Sequence, residues 1–224
     1  MTTPIKAVIF DKDGTLHDTE KVFVQAWHLA AAEFDVPDME STIRDCTGMP
    51  LPGIERYWNA KYPSIPFADY IPRRQYYFNE IIKDGIPLKE GCIEVLTYLR
   101  EHGYRVGMAT STGRKSATEH LCRTDMLSYF QEDAIITGDM VECGKPYPDI
   151  FLLAAKRLGV EPAYCIGVED SFNGIRAVAA AGMRPVMIPD MLTPTPEIRA
   201  LAWRTCRSLY DLIPLLEENK KMQS

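Results

Sequence analysis

The chain has 224 residues, 46% apolar and 25% charged, enough for one sizeable core or for a core with a smaller second domain. Its net charge of −6, with no basic block, argues against nucleic-acid binding, and no apolar run approaches the roughly 20 residues that span a bilayer. Six scattered cysteines form no C-x-x-C pair, which argues against zinc and for free thiols in a reducing cytoplasm. The N-terminus lacks the pattern of a signal peptide, and a monomer is the default expectation.

The first predicted strand covers 6–10 and ends in Asp11-Lys12-Asp13-Gly14-Thr15. Two carboxylates two residues apart on an extended segment point the same way, so Asp11 and Asp13 are expected to enter one pocket. Like charges so close need a cation or a proton between them. The arrangement suits a magnesium-dependent carboxylate nucleophile with an acid/base partner. Asp and Gly are also ordinary turn residues, so this segment alone permits a surface turn.

The next clear strand begins only near 104, whereas a βαβ unit needs about 30 residues. The surplus is read as an insertion over 17–86. Val22, Phe23, Ala26, Ala30 and Phe34 mark one amphipathic helix in it, and Tyr77, Ile81 and Ile82 another. Its aromatics, Trp27, Tyr57, Trp58 and Tyr70 among them, are expected to form a small helical core. Pro50, Pro52 and Gly53 suggest one loop, and Pro63 and Pro66 a second. Arg56, Arg73 and Arg74 are read as helix-surface charges. His17, beside the first crossing into the insertion, is read with His102 and His120 as structural or solvated.

Strand and helix then alternate. A helix is expected over 88–101, with Ile93, Leu96 and Leu99 on its apolar face, and a strand over 104–110. Thr110, Ser111, Thr112 and Gly113 follow, ahead of a helix carrying Ala117 and Leu121. Hydroxyls and free amides there suit either an anion site or plain N-capping. A strand over 134–138 leads to Gly144-Lys145-Pro146-Tyr147-Pro148-Asp149 and a helix over 148–158. A lone loop lysine is solvated by default, but one held on stiff backbone sets a fixed charge. A strand over 164–168 ends in Glu169-Asp170-Ser171, then comes a helix over 172–181 and a strand over 184–189. Strands alternating with helices predict an α/β fold, a doubly wound parallel sheet with helices on both faces. Each station of acids, hydroxyls and lysine falls at the carboxyl end of a strand, where such sheets bind ligands.

The ordered set DxDGT, GKP-x-PD and ED-S-x-x-G resembles the haloacid dehalogenase-like superfamily over essentially the whole chain. The insertion resembles the helical cap of the subgroup containing β-phosphoglucomutase and many small-metabolite phosphatases. The resemblance implies a Rossmann-like core over 1–16 and 87–224 with an α-helical cap over 17–86. It implies Asp11 as a nucleophile forming an aspartyl-phosphate, and Asp13 as the acid/base that serves the leaving alcohol and then water. Thr110 and Ser111 would bind substrate, and Lys145 would steady both nucleophile and phosphate. Magnesium (Mg2+) would be held by Asp11, the backbone carbonyl of Asp13 and Asp170, with Glu169 in support. The Lys145–Pro146 peptide is often cis in relatives.

An Asp at position 13 suits phosphatases and phosphomutases, which must protonate a leaving oxygen. Aligned with the mutase cap, Phe23 falls at the position of its histidine and Leu51 at the position of its phosphate-binding arginine, with His28 and Arg44 nearby. Both departures favour a phosphatase acting on a small phosphorylated metabolite over a sugar phosphomutase.

Overall fold

Alternate residues of Ala7–Phe10 face opposite sides of a strand, and all four are buried, so the run has no polar interruption. In the computed structural model, which describes residues 3–47, 49 and 51–222, this run is β1 of a six-stranded sheet. The others are β2 (Arg105–Thr110), β3 (Ile135–Thr137), β4 (Cys165–Glu169), β5 (Arg184–Met187) and β6 (Arg204–Thr205). Their order is β3-β2-β1-β4-β5-β6, and every pairing is parallel. The order reverses between β1 and β4, which makes the crevice beyond their carboxyl ends the natural binding place.

The helices are α1 (Glu20–Glu33), α2 (Met39–Cys46), α3 (Leu51–Lys61), α4 (Phe67–Ile82), α5 (Cys92–Glu101), α6 (Arg114–Arg123), α7 (Asp149–Leu158), α8 (Phe172–Ala180), α9 (Pro196–Leu201) and α10 (Leu212–Lys221). Val8 and Phe10 pack on one face of the sheet with residues of α5 and α10. Ala7 and Ile9 pack on the other with residues of α7 and α8. The sheet is therefore covered on both sides, as expected.

The chain divides into two compact units, Met1–Asp18 with Leu88–Ser224, and Thr19–Pro87. Within the first, His17 bridges both Asp13 and Leu88, so the chain leaves and re-enters the sheet unit side by side. The second is built from α1 to α4 around Trp27, Trp58, Tyr62, Phe67 and Tyr70. Trp27, Trp58 and Tyr70 form the expected core, whereas Tyr57 lies outside it with its hydroxyl donating to Asp45 Oδ2 at 2.6 Å. The Trp58 indole donates to Ile65 O at 2.8 Å, and the Tyr70 hydroxyl to Trp27 O at 2.7 Å, so their polar ends are met inside the core.

Several sequence expectations change in detail. The helix foreseen over 88–101 starts only at Cys92, because Leu88 bridges His17 and Gly91 takes a left-handed φ of 83°. Ile93 is 37% exposed, and Cys92 and Val95 share the buried face with Leu96 and Leu99 instead. Pro52 and Gly53 do not form a loop but lie in the first turn of α3, where proline's missing N–H costs nothing. Pro50 and Gly48 lie outside the described residues. Arg74 is not a surface charge: it lies over the rings of Phe23 and Trp27, at 5.6 and 5.1 Å, and burial lowers its pKa.

Candidate active site

β1 pairs with β2 and β4 so that Phe10 stands beside Met108 and Val168, and Asp11 N donates to Val168 O at 2.9 Å. Asp11 thus emerges between the ends of both neighbours, beside Glu169. Lys145 reaches this point from the loop after β3, across a cis peptide to Pro146. Its ammonium donates to Asp11 Oδ1 at 2.5 Å, to Glu169 Oε1 at 2.5 Å and to Ala109 O at 2.9 Å. It is buried, not a solvated loop lysine.

Glu169 is fully buried and also accepts from Ser171 N at 3.1 Å and Ser171 Oγ at 2.9 Å. Ser171, not an acid, caps α8, by accepting from Gly174 N at 3.0 Å. Asp170 accepts from Thr15 Oγ1 at 3.1 Å. Gly14 is the close-approach position here: its φ is 78°, and a Cβ on it would overlap the Asp170 carboxylate.

Asp11, Glu169 and Asp170 each present an oxygen within 4.8 Å of the others. Two of these carboxylates, Asp11 and Glu169, meet the Lys145 ammonium, and the all-oxygen donor set of the three suits a hard divalent cation. Burial pushes Asp11 up to about 8, Lys145 pulls against it, and Glu169 and Asp13 add to the rise. Burial opposes the charge on Lys145, but Asp11 and Glu169 more than offset it and raise its pKa. The residues present fit a metal whose charge would hold Asp11 in its anionic form.

The carboxylate of Asp13 is not in that cluster. Extended backbone ends at Phe10, and the next residues curl into turns in which Leu16 N and His17 N both donate to Lys12 O. Two residues' separation therefore does not aim both acids at one cation. Asp11 pairs with Lys145, while Asp13 pairs with Lys12 at 2.5 Å and accepts from Thr112 Oγ1 at 2.7 Å. Thr110 is buried, and its Oγ1 accepts from Thr112 N at 3.1 Å, which ties β2's end to Asp13 through one residue. Ser111 is exposed, and no described contact of its side chain joins it to the other site residues. Neither hydroxyl caps α6: Gly113 is its N-cap, and Asp139 Oδ2 accepts from Arg114 N at 3.3 Å.

The sequence points to no role for Lys12, places Thr112 only in a general hydroxyl run that could bind an anion or cap a helix, and reads His120 as structural or solvated. Lys12 is fully buried, and its ammonium lies 3.3 Å from His120 Nδ1. Burial, then Lys12, pushes His17 down to about 3 and His120 to about 4. A lysine flanked by two acids reads as solvated, and only the fold shows that it has no route to water. No helix among the described residues is long and apolar enough to cross a membrane.

Known proteins share this framework. A phosphorylated carbohydrates phosphatase of Thermotoga maritima is 33% identical over 187 residues, 81% of this chain and 84% of its own. A β-phosphoglucomutase of Bacillus subtilis is also 33% identical over 187 residues, covering 80% and 81%. The crystal structure of CbbY from Rhodobacter sphaeroides in complex with phosphate superposes with a TM-score of 0.77 at 29% identity, over 93% of this chain and 96% of that one. The haloacid dehalogenase-like hydrolase family matches residues 5–182, and the chain belongs to it, as an enzyme of its phosphatase kind.

Proposed function

We infer that this enzyme is a magnesium-dependent phosphatase that hydrolyses a small phosphorylated metabolite, a sugar or polyol phosphate, through an aspartyl-phosphate on Asp11. The observation that carries the reading is the buried Lys145 clamped between Asp11 and Glu169, with Asp170 alongside. Phosphoryl transfer needs positioning and charge neutralisation more than covalent machinery, and these residues supply both.

In this reading Asp11 Oδ2, the oxygen not bonded to Lys145, attacks phosphorus. Lys145 holds the nucleophile in register and offers positive charge to the phosphoryl oxygens. The Thr110 hydroxyl, whose oxygen already accepts from Thr112 N, donates to one of those oxygens. The exposed Ser111 contributes chiefly through its backbone N–H. Asp13 gives a proton to the leaving oxygen and later takes one from water. Asp11, Asp170 and the Asp13 carbonyl would hold Mg2+ with Glu169 in support, and the metal would supply charge to bring a phosphate dianion against a carboxylate.

The assigned domains are a catalytic core over 1–16 and 87–224 and a helical cap over 17–86 that sets specificity. Six free cysteines support a reducing cytoplasm as the working compartment, and the protein is taken as a monomer. A phosphatase is favoured over a phosphomutase by the insertion's own residues. Phe23 stacks on Phe78 at 4.3 Å between centroids, and Leu51 is 51% exposed, so neither offers an imidazole or a cation. The test is turnover of a chromogenic phosphate ester with and without EDTA, then a panel of sugar, polyol and nucleotide phosphates ranked by kcat/KM. Metal-dependent hydrolysis without activation by a sugar bisphosphate supports the reading. Turnover that EDTA leaves intact, or activation by the bisphosphate, rejects it.

A further inference from the structure

Lys12 stands between the two acids of the DKDGT segment, and the reaction just proposed makes no use of it. It is 0% exposed, and a buried ammonium is tolerated only where its charge and protons are met. Its hydrogen-bond partners are Asp13 Oδ1 at 2.5 Å and His120 Nδ1 at 3.3 Å. Lysine only donates, so Nδ1 of His120 accepts and the ring carries its proton on Nε2. His120 belongs to α6, so the ammonium is fixed from two separate elements, the turn after β1 and the helix after β2.

The two oxygens of Asp13 are held by different kinds of bond. Oδ1 is held by a buried charge, and releasing it would strand that charge. Oδ2 accepts from the neutral Thr112 hydroxyl at 2.7 Å, which turns aside by rotation about one bond. We propose that Lys12, braced by His120, is a positioning residue that anchors Oδ1 of Asp13 and leaves Oδ2 as the oxygen that exchanges the proton with substrate. The inference rests on the acid/base reading of Asp13. In the first step the Asp11–phosphorus bond forms, the ester P–O bond breaks, and the proton on Oδ2 passes to the leaving oxygen. In the second, water bonds to phosphorus and gives its proton to Oδ2 while the acyl-phosphate P–O bond breaks and restores Asp11.

The test compares two esters by kcat/KM, which reports every step through leaving-group departure. 4-Nitrophenyl phosphate loses a stable phenolate and needs little protonation, whereas an alkyl phosphate, the best sugar or polyol phosphate of the panel, needs it fully. Asp13→Asn sets the scale. Lys12→Met keeps length and burial but removes the donor. It is expected to lower kcat/KM for the alkyl ester at least tenfold more than for the aryl ester, with the alkyl KM within about twofold of the parent. His120→Leu is expected to show the same selectivity in weaker form, and His120→Asn, whose Oδ1 stands where Nδ1 accepted, to recover most of it. Should Lys12→Met not fold, the His120 pair decides alone. Equal losses on both esters, or none, in a chain where Asp13→Asn is selective overturn the role of Lys12 and leave the function standing. Absence of selectivity in Asp13→Asn itself removes the acid assignment and this inference with it.

Discussion

Gly174 offers a test of the site's packing in which the usual sign of a substitution is reversed. It is the third residue of α8, where Gly→Ala ordinarily gains about 0.5–1 kcal/mol by stiffening the unfolded chain. Here an added Cβ would stand inside the carboxylate of Glu169. Glu169 must then leave Lys145, which it meets at 2.5 Å, or push α8 away. Loss of a hydrogen bond to a buried charged group costs about 1.5–3 kcal/mol. After subtraction of the helix gain, Gly174→Ala is expected to destabilise by about 1–2 kcal/mol, a fall of roughly 2–8 °C in Tm for a chain of this size. Gly85→Ala, whose Cβ would meet nothing within 4 Å, is the control and should change stability by less than about 0.5 kcal/mol. Thermal unfolding followed by circular dichroism reads both, and the magnesium activation constant of Gly174→Ala should rise as Glu169 shifts. A Gly174→Ala protein as stable as the parent, with unchanged metal activation, would refute this account of Glu169.

Two further outcomes follow from buried groups. The neutral His17 ring, with its folded pKa pushed down to about 3, binds its proton less readily than in the unfolded chain, where the value is 6.5. Stability is therefore full above about pH 7, falls as pH drops below 6.5, and goes on falling until about pH 3. Between pH 7.5 and 5 this one group removes ~2 kcal/mol, so urea midpoints of the parent should fall further over that range than those of His17→Leu. Equal pH dependence in the two would show that folding leaves the proton affinity of the ring unchanged, contrary to its burial as a neutral group. In the helical unit, Trp58 is fully buried among Trp27, Tyr62, Phe67 and Tyr70. Trp58→Ala should cost about 3–5 kcal/mol there, and limited proteolysis should cut first within 19–87; first cuts in the sheet unit would contradict an independent aromatic core.

What could be read in the chain follows from how each feature is encoded. A central parallel strand must be apolar on both faces, so Ala7–Phe10 and Cys165–Glu169 announce themselves, and the acids at their ends mark the crevice. β6 is two exposed residues, Arg204–Thr205, paired to β5 through the backbone, and no side-chain pattern reports it. α3 was hidden because Pro52 and Gly53 read as breakers, although proline in a first turn breaks nothing. The joining of Asp11, Lys145, Glu169 and Asp170 was legible because each follows a strand of the same sheet. The divergence of Asp13 from Asp11 was not, since it depends on where extended backbone gives way to a turn. Lys12 was missed for a related reason: burial of a charge is a property of the surroundings, here α6 and its His120, and not of the residue.

The account turns on a covalent bond between phosphorus and the Asp11 carboxylate. Acid-quenching the enzyme during steady turnover, reducing the acyl-phosphate with borohydride and mapping peptides by mass spectrometry tests that bond directly. The expected result is homoserine at position 11, absent without substrate and absent in Asp11→Asn, which should also lose turnover. An unmodified Asp11 with the reduced product at another carboxylate, or robust hydrolysis by Asp11→Asn, would contradict it.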